Sequence, residues 1–253
     1  MMSIVREIIT FAELELRRLR HDPLEIFTRA IQPILWLTIF AEIMGSRMNL
    51  PIGVNYATYI APGVMMQSAV FISLAYGIML VWERDSGILK RLLTTPLRRI
   101  VIVTGRALAG AIRASTQLLI ILIIAYAIGA KLCYNPLNIL IAFIVLIIGC
   151  MGFTALSILI ASLLKTRERF MGIINAITMP LFFTSNALYP IDIMPLALKI
   201  IAIGNPLTYI VEVLRGLLIY NSSIDILLDL GIVITFTISS IILASIWFRK
   251  IIE

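Results

Sequence analysis

Residues 137 to 164 read LNILIAFIVLIIGCMGFTALSILIASLL, a run without one charged side chain. A hydrocarbon core about 30 Å thick takes roughly twenty helical residues, and lipid offers no hydrogen-bond partner to an open backbone. A run this long and this apolar therefore reads as a membrane-spanning helix, far beyond the ten or so residues of a barrel strand. Working outward, similar stretches fall at about 29–46, 56–82, 101–130, 170–190 and 224–248. The first is interrupted by Pro33 and carries Glu42, which predicts a kink and a carboxylate near an interface. Hydrophobic residues make up 60% of the 253 positions and charged ones 14%, with a mean hydropathy of +1.03. The expectation is an all-α, polytopic membrane protein with six transmembrane helices in a single domain, residues 1–253.

Residues 1–28 differ in kind. SIVREIITFAELELRRLR (3–20) places Val5, Ile8, Ile9, Ala12, Leu16 and Leu19 at helical spacing, with Arg6, Glu7, Glu13, Arg17 and Arg20 mostly elsewhere around the axis. This predicts an amphipathic elbow helix in the headgroup region. Charge throughout the stretch is unlike a removable signal peptide.

Lysine and arginine set the orientation. Arg6, Arg17, Arg18, Arg20, Arg29, Arg84, Lys90, Arg91, Arg98, Arg99, Arg106, Arg113, Lys165, Arg167, Arg169, Arg249 and Lys250 fall on one side of the expected spans. Only Arg47, Lys131, Lys199 and Arg215 fall on the other. Cytoplasmic loops carry the excess, so both termini are expected in the cytoplasm, with the chain multi-pass in the plasma membrane. The net charge of +7 is accounted for by that bias, and no soluble domain remains to bind nucleic acid. Arg99, Arg106 and Arg113 recur every seven residues; the expectation is that span three starts near residue 114, with Arg113 snorkelling.

Two connections stand out. ERDSGILKRLLTTPLRR (83–99) carries Ile88, Leu89, Leu92 and Leu93 near one-turn spacing, with Ser86 as a start and Pro96 as a stop, which predicts a short amphipathic helix. Residues 190–223 hold LALKIIAIG and YIVEVLRGLLIY around Asn205 and Pro206, each too short to span; a re-entrant or interfacial hairpin is expected. Within it Pro206 sets the break, and Glu212 and Arg215, three apart, share a face.

The chemistry absent from the chain narrows its function. There is no GxxxxGK[ST] phosphate loop, HExxH or GxSxG; the one histidine is His21, outside the spans. Cys133 and Cys150 read as small apolar packing residues. Neutral polar residues dominate inside the spans: Gln67, Gln117, Thr154, Ser157, Asn175, Thr178, Thr184, Thr235, Thr237, Ser239 and Ser240. They serve interhelical hydrogen bonding or a mildly polar path. A transporter, a membrane-embedded enzyme and a scaffold remain as classes, and the missing motifs disfavour the enzyme. An ion-coupled carrier usually keeps a carboxylate at mid-membrane, whereas Glu42, Asp192, Glu212, Asp225 and Asp229 sit near span ends or in loops.

The stretch Glu83 to Leu97, ERDSGILKRLLTTPL, closely resembles the loop of type-2 ATP-binding-cassette exporter permeases. NPLTY (205–209), followed after five residues by Arg215, resembles the same family's P-L-x-Y-x(5)-R signature. The resemblance implies a half-transporter that pairs as a homodimer and docks a separate cytoplasmic ATPase subunit. ATP and magnesium would be held by that partner and no cofactor by this chain. The resemblance makes 83–97 a coupling helix, in which Glu83, Arg84, Asp85, Gly87, Leu89, Leu92 and Pro96 are the candidate residues. It also makes spans two and five the lining of the path, where Gln67, Phe71, Asn175, Met179 and Phe182 would suit an amphiphilic or drug-like substrate. The alternatives left standing are a self-powered secondary transporter and a membrane scaffold.

Overall fold

A computed structural model describes residues 4–21, 23–45, 54–94, 97–164, 166–220 and 226–251, and no strand occurs among them. Arg47, Pro96, Lys165 and Asp225 lie outside the described residues. Helix α1 spans Ile4–His21, and α2 (Pro23–Leu35) runs through a π-helical turn, Trp36–Phe40, into α3 (Ala41–Gly45). Next come α4 (Tyr56–Ala75), α5 (Ile78–Asp85), α6 (Ile88–Leu93), α7 (Arg99–Ala127) and α8 (Pro136–Leu163). The chain continues with α9 (Arg167–Phe183), α10 (Leu196–Gly204), α11 (Pro206–Arg215), a second π-helical turn (Gly216–Tyr220) and α12 (Ile226–Trp247).

Several starts are written in the sequence. The Asn135 and Asn205 side chains each accept a hydrogen bond from the backbone N–H two residues on, at 3.0 Å, with proline at the first helical position. Asn55 caps α4 in the same way, and the Thr166 hydroxyl accepts from the Arg169 N–H at the start of α9.

Four stretches among the described residues are long and apolar enough to cross a membrane: Tyr56–Asp85, α7, α8 and α12. A fifth exists if α10 and the segment Pro206–Tyr220, bent by 82° at Asn205, count as one. Four to five of the six expected spans are thus supported among the described residues. The first expected span lies in a continuous helical run, 23–45, that contains Pro33 and the π-helical turn, and α9 ends at Phe183 after 17 residues, short of the expected 190. The two segments expected to form the hairpin are the members of that bent pair.

Helix α8 is the hub, packed by α4, α7, α11 and α12. Small residues permit the approach: a Cβ on Gly152 would lie 2.6 Å from the Phe236 ring, and one on Gly149 would lie 2.5 Å from Ile210 Cδ1. The residues sort into two ends. At one, the Tyr56 hydroxyl donates to the Leu188 carbonyl, the Lys131 N–H to Thr58 Oγ1, and the Asn138 amide to the Leu217 carbonyl. At the other, α1, α5, α6 and the α8–α9 junction meet.

Helix α1 packs on α7, with the Phe11 ring over Gly105, where a Cβ would lie 2.5 Å from it. Glu15 is only 1% exposed; its carboxylate accepts from Arg113 Nε at 2.6 Å and from the Tyr76 hydroxyl at 3.0 Å. Arg106 pairs with Glu83. Arg113 and Arg106 are thus held by carboxylates, and α7 begins at Arg99, several turns before the expected start of the span near 114. The buried acid on α1 gives Arg113 a partner that offsets the cost of burying its charge. On the far side of α1, Val5, Ile9 and Leu16 stay exposed beside Arg6 and Arg17.

Replacing Glu15 with glutamine is expected to loosen α1 by about 3 kcal/mol, because Arg113 is left without its carboxylate. Limited proteolysis within residues 4–21 would report the loosening. In the pair Glu15→Gln, Arg113→Gln, a substantial part of the loss should return; strictly additive losses would contradict the pairing.

Candidate functional site

Two polar constellations occur, one at each end. The first joins the loop between α5 and α6 to the junction of α8 and α9. Arg84 Nη1 donates to the Leu164 carbonyl at 2.8 Å. Asp85 Oδ2 accepts from Arg167 Nε at 2.9 Å, and the Arg167 guanidinium lies 4.2 Å from the centre of the Trp82 ring. Glu83, one residue before Arg84, holds Arg106 of α7. Three consecutive residues, Glu83, Arg84 and Asp85, therefore tie the end of α5 to α7, to the end of α8 and to α9 at once. Gly87 makes the turn into α6 at φ +75°, a left-handed conformation that costs a Cβ-bearing residue about 1–2 kcal/mol.

In helix α6 the candidate leucines Leu89 and Leu92 turn toward their own chain. Leu89 is 1% exposed and Leu92 half-buried, both against their own chain. Ile88 and Trp82 are the open apolar residues, at 54% and 56%. The reason is helical phase: the turn at Gly87 directs 89 and 92 to the core and leaves 88 outside. Lys90, Arg91, Arg98 and Arg99 are exposed around them and form no ion pair among the described residues.

The second constellation surrounds Arg215, 5% exposed. Its Nε donates to the Tyr59 carbonyl at 3.2 Å, its Nη2 to the carbonyls of Asn186 and Ala187 at 2.8 and 3.3 Å, and its guanidinium stacks 3.8 Å from the centre of the Tyr59 ring. Asn186 connects Arg215 to Glu212, since its amide donates to Glu212 Oε1 at 2.9 Å. Asn205 donates to the Leu181 carbonyl at 2.7 Å, which holds the break before Pro206 against the end of α9. Gly63 completes this end: a Cβ there would lie 2.3 Å from the Ala187 carbonyl oxygen.

The path candidates divide. Phe71, Asn175 and Met179 are exposed on the chain, the last two one turn apart on α9. Gln67 is 4% exposed and Phe182 1%, the latter wedged beside Trp36 with ring centres 5.6 Å apart. Those two are therefore packed within the chain's own core. Sequence reasoning missed Glu15, Tyr59, Asn186 and Arg167. Only Glu15 left a signal, sharing one helix face with Ile8, Ala12 and Leu19.

A helical bundle with four to five apolar spans and ionic clusters at its two ends defines a multi-pass membrane protein. The ABC-2 type transporter family profile matches residues 6–219, and the chain belongs to that family. It is 30% identical over 225 residues to a putative transport permease of Cyanophora paradoxa, covering 86% of this chain and 76% of that one. It is 24% identical to nodulation protein J of Rhizobium leguminosarum bv. trifolii over 219 residues, 84% and 82% of the two chains. A daunorubicin resistance ABC transporter permease protein of Streptomyces coeruleorubidus is 22% identical over 199 residues, 79% and 70%. The family is a membrane component of transport rather than a catalyst, and its permeases work in general with an ABC ATPase.

Proposed function

We propose that this chain is the membrane half of an exporter powered by a separate ATPase, which docks on the end that carries Trp82 and Ile88. The observation that carries this reading is the lock at Glu83, Arg84 and Asp85. A push on α6 is transmitted to α7 through Arg106, to the end of α8 through Leu164 and to α9 through Arg167. Open apolar groups ringed by exposed cations suit a protein groove with acidic walls. ATP and magnesium are held by the ATPase. Two copies of the chain form the path, with Phe71, Asn175 and Met179 toward it, and the bent pair closes its outer end. Both termini are cytoplasmic in the plasma membrane, and the open stripe Val5, Ile9 and Leu16 of α1 meets lipid. The relative named for daunorubicin resistance supports a drug-like or amphiphilic cargo, which Met179 and Phe71 can contact without fixed geometry.

The test is co-purification with the ATPase that accompanies the tagged chain from native membranes, and ATP hydrolysis by that complex. Ile88→Asp is expected to weaken association about tenfold or more, as for an apolar interface anchor. Lys199→Ala, at the opposite end, should leave it unchanged. Wild-type association by Ile88→Asp would remove the docking assignment.

A further inference from the structure

The bent pair parts by 82° at Asn205: past the bend α11 packs along α12, while α10 turns aside. The divergence leaves a groove of about 500 Å³, open on one side. One wall is a stripe of α12, from Leu228 through Gly231 and Thr235 to Ser239, at the spacing of a single helix face. The other is the bend itself, with Gly204 and Pro206. Two glycines give the groove its room, since a Cβ on Gly204 or on Gly231 would meet nothing within 4 Å.

The lining asks for no polar ligand. The Thr235 hydroxyl donates to the Gly231 carbonyl, that of Ser239 to Phe236 and that of Tyr209 to Ile203. An apolar cavity of about 150 Å³ takes a six-carbon ring, and on that scale this groove takes on the order of sixteen to twenty carbons. Its depth points the same way. Leu228 to Ser239 run about 17 Å along the axis, roughly half of a hydrocarbon core. Thr237, one residue from the wall, donates to the carbonyl of Ile148, near the middle of α8. Leu228 stands at the other limit, close after the turn whose Leu217 carbonyl holds Asn138 at the start of α8. The groove therefore runs from one interface to the middle of the bilayer, the depth of one leaflet. Leu227, Ile234 and Ile238 are exposed beside it on a spanning helix, so it is continuous with the surface that lipid covers.

We propose that the groove between the bent pair and α12 binds one acyl chain of a phospholipid, taken from the leaflet at the Asn138 end. The seated tail fills the angle of the bend and gives α12 and Gly204 the apolar contact that α10, turned aside, does not supply.

Native mass spectrometry of the full chain, purified in detergent from native membranes, is expected to find one phospholipid retained per chain. Gly231→Phe, whose ring occupies the groove, should lower retention several-fold; Gly172→Phe, on α9 and equally open to a Cβ, should not. The site is read separately on the unaltered chain in phosphatidylcholine vesicles containing a small share of phosphatidylcholine with a diazirine halfway along one tail. After detergent has stripped the bulk lipid, illumination should mark residues 203–209 and 228–239 and spare Ile242 and Ile246, exposed on the same helix outside the groove. No retained lipid, marks spread evenly along α12, or undiminished retention by a folded Gly231→Phe chain would each overturn the proposal. So would a disulfide between two copies carrying Gly231→Cys, which would seat a second chain in the groove.

Discussion

Arg215→Leu is expected to abolish transport and to lower the melting temperature of the solubilised chain by roughly 10 °C, on the order of 3–5 kcal/mol. The side chain supplies three hydrogen bonds to carbonyls of Tyr59, Asn186 and Ala187, and covers the Tyr59 ring. Leucine of similar bulk leaves the Asn186 and Ala187 carbonyls without the guanidinium as donor, and the bent pair then loses its tie to α4 and to the turn at 184–188. Lysine should restore only part of the loss, because one ammonium group cannot reproduce the fork of a guanidinium. Thermal melting followed by tryptophan fluorescence, with transport in vesicles, measures both. A variant that melts and transports like the unaltered chain would show that the cluster is ornamental.

Gly63→Val should be nearly as damaging, through sterics alone. The carbonyl oxygen facing a Cβ at 2.3 Å belongs to backbone, so no rotamer change relieves the overlap. Helix α4 and the turn carrying Ala187 would have to separate by roughly an ångström or more, disturbing the Arg215 contacts as they do so; overpacking of this kind costs about 1–3 kcal/mol and at times more. Expression of monodisperse protein, read by size-exclusion chromatography, is expected to drop sharply. Gly172→Val, where a Cβ would meet nothing within 4 Å, is the matched control and should behave normally.

Both positions show where reading the sequence stops. The spans at 56–82, 101–130, 137–164 and 224–248 were legible because an unbroken apolar run has only one solvent that suits it. The observed helices Tyr56–Asp85, α7, α8 and α12 follow them closely. The bent pair was legible from Asn205 and Pro206, whose local chemistry breaks one helix and caps the next. Spans one and five were less legible: the helical run at 23–45 carries Arg29, Gln32 and Glu42 among its apolar residues, and α9 stops at Phe183 after 17 residues. What joins distant segments left almost no trace. Nothing near Arg113 announces Glu15, nothing near Gly63 announces Ala187, and the phase that buries Leu89 while opening Ile88 depends on the left-handed turn at Gly87. Composition reports the solvent, and local pattern reports caps and breaks; contacts between elements are set by packing that neither encodes.

The most direct check of the account is the side on which the Trp82–Arg98 end lies. In a chain with Ser86→Cys, an impermeant maleimide should spare position 86 in intact cells and label it in inverted vesicles, since ATP is on that side. Labelling of the introduced thiol from outside intact cells would place the docking end away from any source of ATP and contradict the account.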